Sequence, residues 1–157
     1  MIATLLHSAA TASMSLQSPP LCIGHPRFDA ACPATHETGD RGIASWREAL
    51  SDGPRAAASR ARGDFAVAVD DGARAFLAVD RYAIRTLCWR LEGQSLRVAP
   101  RADQLAGPGA ALDAQAIYDY LFFHVIPSPR TIFRNVFRLP PAHFATFERG
   151  RLTVAPY

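Results

Sequence analysis

The sequence contains no lysine; all 17 of its basic residues are arginine. Set against 14 acidic residues they leave a formal charge of +3, spread along 157 residues and interleaved with acids. That pattern argues against a nucleic-acid partner, which selects a clustered basic stripe. No apolar run approaches the roughly 18 residues that a membrane-crossing helix needs, so no membrane partner is expected. Cysteine is scarce: Cys22, Cys32 and Cys88 are odd in number and far apart. A disulfide framework uses an even set, and a zinc site uses close pairs. Neither pattern occurs, so the reading is of reduced thiols in a cytoplasmic protein with no metal site. What the chain does have is 49% hydrophobic and 20% charged residues. This is the composition of one globular domain.

Residues 1–20 are rich in Ala, Ser and Thr, and no Lys or Arg precedes Arg27. A secretory signal has a basic start and an apolar run of about 7–15 residues. The segment reads instead as a flexible leader closed by Pro19 and Pro20, with a domain over residues 21–157. A misplaced start codon or a truncation would leave the same trace.

Within the domain, Leu21 to Gly24 reads as a short strand and Asp29 to Gly42 as loop. Ile43, Trp46, Ala49 and Leu50 lie on one face of a helix, and a second short helix follows from Arg55 to Arg62. Phe65, Val67 and Val69 alternate with Ala66 and Ala68, which predicts a strand able to bury both faces. Asp70-Asp71-Gly72 is hairpin chemistry. The returning Ala75 to Val79 is apolar on both sides, as a strand between two layers must be. Leu87 to Leu91 and Leu96 to Ala99 form a second hairpin around Glu92-Gly93. Asp113 is placed to cap a helix running to about Phe123, with Leu112 and Ile117 at hydrophobic-staple spacing. Ile117, Tyr120, Leu121 and His124 fall on one side of it. A last hairpin spans Phe144 to Val154. The fold class is α+β, with antiparallel sheet and helices on its faces.

Several motifs then occur in order. They are Gly63-Asp64-Phe65-Ala66, Asp80-Arg81-Tyr82-Ala83-Ile84-Arg85, Pro127-Ser128-Pro129-Arg130-Thr131-Ile132-Phe133 and Leu139-Pro140-Pro141-Ala142-His143. This series resembles the back half of the amidotransferase domain of glutamine-hydrolysing asparagine synthetases and their relatives. Gly24-His25-Pro26-Arg27-Phe28 resembles a variant seen in divergent members. The resemblance implies an N-terminal-nucleophile hydrolase sandwich, partly truncated, in which two antiparallel sheets lie between helical layers. It implies structural roles for Gly63, Asp64, Phe65, Asp80, Arg81, Pro129, Arg130, Pro140 and Pro141. Asp80 and Arg81 are expected to form an ion pair or cap a turn. Arg85 and Arg130 are expected to be solvated or interdomain arginines, with an anion clamp as the alternative. Ala83 replaces a family glycine and Thr86 a family proline; if that glycine takes a positive φ, Ala83 strains the turn by about 1 kcal/mol.

Glutamine hydrolysis in the family uses an N-terminal cysteine whose own α-amine is the base, since nucleophile and base must lie within hydrogen-bond reach. This sequence opens Met1-Ile2-Ala3 and has no Asn-Gly-Glu stretch to supply oxyanion donors. No catalytic residue is therefore assigned. Asp40, in Thr38-Gly39-Asp40, matches a family aspartate that contacts the substrate amino group and is a candidate for substrate binding. The expected function is a silent amidotransferase-like domain that serves as scaffold or partner, in trans, of an ATP-dependent amide-forming synthetase domain. ATP and Mg²⁺ are expected only in that partner, because no pyrophosphate loop occurs in this chain. Two alternatives stand beside it: an Arg-rich binding module, and an active glutaminase fragment with Cys22 exposed by processing.

Overall fold

The computed structural model describes residues 16–28, 39–71 and 74–157. Most of the expected leader, Cys32, Gly72 and the greater part of the loop expected after Phe28 lie outside the described residues. Two antiparallel sheets carry the structure. The larger has five strands in the order β1-β2-β3-β7-β8, and the smaller has three in the order β5-β4-β6. In chain order these are β1 (Leu21–Gly24), β2 (Phe65–Asp70), β3 (Ala75–Val79), β4 (Cys88–Glu92), β5 (Ser95–Ala99), β6 (Phe137–Arg138), β7 (His143–Glu148) and β8 (Arg151–Pro156). The two middle hairpins do not extend one sheet. The β2–β3 hairpin lies at the centre of the larger sheet and the β4–β5 hairpin forms most of the smaller one.

Both faces of β2 and β3 are covered, which is why their sequences are apolar from Phe65 to Val69 and from Ala75 to Val79. On one face Val67, Val69, Phe76 and Ala78 meet Trp46, Ala57 and Ala58 from the helices. On the other, Ala66, Ala68, Leu77 and Val79 meet Leu87, Leu96, Val98 and Leu139 from the smaller sheet and its flanks. The register pairs small with large: Ala66 with Val79, Val67 with Ala78, Ala68 with Leu77. Alternation of this kind fills the space between layers without voids. Each large side chain buried there contributes about 1.5–3 kcal/mol.

Helix α1 (Gly39–Ala49) and helix α2 (Pro54–Arg60) form the outer layer of the larger sheet. Trp46 is the centre of that layer, with its ring against Phe28, Phe65 and Phe76. The helix starts at Gly39 and not at Ile43, so Gly39 to Gly42 are not loop. Asp40 places a negative charge in the first turn, where the helix dipole favours it. Pro54 opens α2 at a position where its missing N–H is not needed.

Helix α3 (Asp103–Ala106) caps the smaller sheet with Leu105. Helix α4 (Ala114–Phe123) stands apart. Asp113 caps it as expected, accepting from the N–H of Gln115 at 2.9 Å. The residues expected on one side of it do not face the core: Ile117, Tyr120 and Leu121 are exposed, and Ala116 and Asp119 are the buried pair. The Leu112–Ile117 staple is not a buried contact either, since both side chains face solvent. Before β1, Leu16 bridges Leu96, the N–H of Gln17 reaches the Leu96 carbonyl, and Ser18 Oγ accepts from Val98 N–H. The chain is thus tied to β5 before it enters β1.

Candidate functional site

The motif residues converge at one end of β2 and β3, and a single carboxylate organises them. Asp80, 2% exposed, follows β3 directly. One of its oxygens accepts from the N–H groups of Tyr82 and Ile84 at 3.0 and 3.1 Å. The other accepts from those of Phe65 and Arg85 at 3.2 and 3.1 Å. A buried carboxylate is stable only when its lone pairs are met in this way. The Asp80 carbonyl accepts from Ala83 and Ala142 N–H groups, at 3.0 and 3.1 Å. One residue therefore fixes the start of β2, the Arg81–Arg85 turn and the Pro140-Pro141-Ala142 turn. Asp80 is a turn cap, and Arg81 lies over the Tyr157 ring instead, 5.9 Å from its centroid. Tyr157 in turn donates its hydroxyl to the Val79 carbonyl at 2.8 Å. Burial pushes the Tyr157 phenol up to about 12, with Arg81 opposing the rise. Leu139 N–H donates to the Leu87 carbonyl at 2.9 Å, and His143 Nδ1 donates to the Pro141 carbonyl at 2.8 Å. Pro140, Pro141 and His143 thus enter β7 through a fixed turn.

Gly63 and Gly24 bring a second carboxylate to the same end. Both have positive φ, near 90° and 87°, and a Cβ on either would lie 2.3 Å from the carbonyl oxygen of His25 or Asp64 respectively. Only glycine permits this approach of β1 to the start of β2. It lets Asp64 take His25 Nδ1 on one oxygen at 3.1 Å and Arg85 Nε on the other at 2.7 Å. Partial burial tends to raise the Asp64 pKa, but the hydrogen bonds from Arg85 and His25 outweigh it. The carboxyl stays below its ordinary range. Arg85 is thereby an ion-pair partner within the fold. Sequence reasoning missed this His25–Asp64–Arg85 group. Its available signal was the pair of Gly-polar steps, Gly24-His25 and Gly63-Asp64.

Beside this junction an open cleft of about 410 Å³ is lined by Arg62, Gly63, Asp64, Arg81, Tyr82 and Ile84. Tyr82 and Ile84 stand out of it into solvent, Tyr82 at 81% exposure.

The remaining candidates lie elsewhere. Asp40 is exposed in the first turn of α1 and takes no part in the hydrogen bonds that join Asp64, Asp80 and Arg85. Pro129 follows a cis peptide bond and accepts from Arg138 N–H at 2.8 Å. Arg130 reaches Asp119 at 3.4 Å and Asp113 at 3.5 Å, so it anchors α4 to the loop after it.

Cys22 sits mid-strand in β1, opposite Val67, and is buried in the layer beneath α1. Cys88 is buried too, and burial pushes its thiol up to about 11. A thiol in that state is protonated at neutral pH and is a poor nucleophile. Neither cysteine fits the requirement for a thiolate beside a free α-amine. Among the described residues no group of three or more His, Cys, Asp or Glu side chains could hold a metal ion. Nor is any helix among them long and apolar enough to cross a membrane.

The architecture is that of an α+β domain with two antiparallel sheets, and its motif residues are used to close one end of the sandwich. The family model for the glutamine amidotransferase domain matches residues 48–157. The chain belongs to that family. The match covers β2 through β8 with α2, α3 and α4, while β1 and most of α1 precede it. A comparison with curated proteins finds no match.

Proposed function

We propose that this chain is a catalytically silent amidotransferase-like domain related to the amidotransferase half of glutamine-hydrolysing asparagine synthetases. In this reading the two sheets are those of an N-terminal-nucleophile hydrolase sandwich. The domain acts as scaffold or partner of an ATP-dependent amide-forming synthetase domain in trans. ATP and Mg²⁺ are held by that partner and not by this chain.

One observation carries the reading. At the end of the sandwich where the family motifs meet, both carboxylates are committed to structure. Asp80 is saturated by four backbone N–H groups. Asp64 is held between His25 and Arg85. The family's base is the α-amine of an N-terminal cysteine, and neither carboxylate here has a free lone pair with which to stand in for it. With Cys22 and Cys88 buried, the described residues hold no exposed thiol to work with such a base. Persistence of a fold after its site chemistry is gone is physically unremarkable, because fold stability and site chemistry rest on different residues.

Ammonia release from glutamine, followed by a coupled dehydrogenase assay on the purified chain, tests the claim of silence. Release at the level of the buffer control is the expected result. Release well above that level, abolished by a thiol-alkylating reagent, would overturn it.

A further inference from the structure

We propose that the cleft between residues 100–103 and the loop after α4 is a binding site for a small phosphate-bearing ligand. This goes beyond the reading of the domain as silent. It involves no glutamine chemistry and can fail while that reading stands.

The first ground is a charge that the fold leaves unmet. The cleft has a volume of about 270 Å³, and Arg101, Arg130 and Arg138 line it with Ala102, Ile126 and Ile132. Asp103 is the one carboxylate in the same lining. Like charges gathered in a concavity raise its potential and draw ions of the opposite sign. The three arginines are satisfied in different ways. Arg101 donates to both oxygens of Asp103, at 2.9 and 2.8 Å. Arg130 has Asp119 at 3.4 Å and Asp113 at 3.5 Å. Arg138 has no carboxylate partner among the described residues. It donates to Ser128 Oγ at 3.2 Å and to the Ile126 carbonyl at 2.7 Å, both neutral acceptors. Yet Arg138 is partly buried, where a cation without a counter-charge is unfavourable. Its charge reaches the buried wall of the cleft, since it opposes the burial that raises the Cys88 thiol.

The second ground is what the free donors would accept. Nη1 of Arg138, Nη1 of Arg101 and Nη2 of Arg130 make no hydrogen bond to a described residue. Guanidinium N–H groups match the oxygens of phosphate and carboxylate. The three stand on separate segments: the turn after β5, the loop after α4, and β6. A carboxylate is filled by one such fork, whereas a tetrahedral phosphate offers an oxygen to each of several. The volume sets the size of the rest. It lies below the about 300–1,000 Å³ typical of sites for drug-sized ligands, so the phosphate carries only a small organic part. Ala102, Ile126 and Ile132 supply its apolar wall. The anion clamp that stood as the alternative for Arg130 is thereby placed in a set whose unpaired member is Arg138.

The test is a titration of the full chain with inorganic phosphate at constant ionic strength, with chloride as the reference. Amide chemical shifts and the unfolding midpoint are followed together. Binding is expected to saturate with a Kd on the order of 1 mM. The shifts should centre on residues 101–103, 126–132 and 138, and the midpoint should rise with phosphate, as ligand linkage requires. Arg138→Met is expected to weaken binding about tenfold or more, as loss of a charged hydrogen-bond donor does. Arg101→Met, at a side chain 71% exposed, is the second variant, should Arg138→Met fail to fold. It is expected to weaken binding several-fold. Arg149→Ala, at a side chain 86% exposed on the turn between β7 and β8, is expected to leave binding unchanged. Acetate is expected to bind about tenfold more weakly than phosphate. No saturable shift up to about 50 mM phosphate overturns the proposal. Shifts centred elsewhere, acetate binding as tight as phosphate, or binding indifferent to both Arg138→Met and Arg101→Met overturn it equally.

Discussion

Asp80 and Asp119 are both buried carboxylates, and the fold satisfies them in opposite ways. Asp80 takes four backbone N–H groups from β2 and from the turn after β3. Asp119 takes two side chains, Gln115 from its own helix and Arg130 from the loop beyond. Backbone donors sit on chain already held between β2, β3 and β4, so ordering them adds little entropy loss. Side-chain donors must be immobilised first. The Asp80 end is therefore continuous with the doubly covered strands. The α4 end is an attachment held by a few long polar side chains, with its apolar surface outward. A local difference in donor type becomes a difference in which part of the molecule is integral and which is attached.

Removing the Asp80 carboxylate tests the first half of that contrast and has the largest expected effect. Asp80→Ala leaves four amides of the Phe65 and Tyr82–Arg85 segments without acceptors. Each buried, unsatisfied group costs about 1–3 kcal/mol before water reaches it. A net loss of about 3–5 kcal/mol is expected from the denaturant midpoint, accompanied by loosening of the Pro140-Pro141 turn. Asp80→Asn retains one accepting oxygen and is expected to lose roughly half as much. A loss below about 1 kcal/mol for Asp80→Ala would show that the turn does not rely on this carboxylate.

Arg130→Met tests the second half, and its effect is expected to be local. Arg130 is 46% exposed at the side chain, so solvent screening limits the ion pair to about 1 kcal/mol or less. Hydrogen exchange is the informative readout. Amides of α4 should exchange several-fold faster while those of β2 and β3 remain unchanged, as expected for a sub-global opening. Uniform acceleration across both regions would erase the distinction between integral and attached.

The integral region was legible in the sequence and the attached one only in part. Alternation of Ala with larger apolar residues from Phe65 to Val79 specifies both strands and the layers on either side, because period and composition agree. The cap of α4 was also readable, since Asp113 acts on its own helix. Its orientation was not. With apolar residues on every side, periodicity selects no inward face, and the choice falls to Asp119 and Arg130, which lie eleven residues apart. The two-residue β6 is too short to carry a pattern. The role of Asp80 had a positional hint in its motif, but its partners are backbone amides, which leave no mark on residue identity. The approach of Gly24 to Asp64 and of Gly63 to His25 exists only once β1 pairs with β2.

The smallest expected effect tests whether the Asp80 end is strained as well as saturated. Two alanines with left-handed backbone, Ala83 at φ 49° and Ala142 at φ 56°, donate their N–H groups to the same Asp80 carbonyl. A non-glycine residue in that region loses roughly 1–2 kcal/mol. Glycine relieves the strain but gives back about 0.5–1 kcal/mol as unfolded-state entropy. Ala83→Gly is therefore expected to raise stability by about 0.5–1 kcal/mol in thermal or chemical unfolding. Ala142→Gly should act in the same direction. Because the two N–H groups share one acceptor, the double variant is expected to gain less than the sum of the singles. Strict additivity would mean that the two turns hold Asp80 independently. A loss from either single change would mean that the alanine methyl contributes more by packing than the backbone loses by strain.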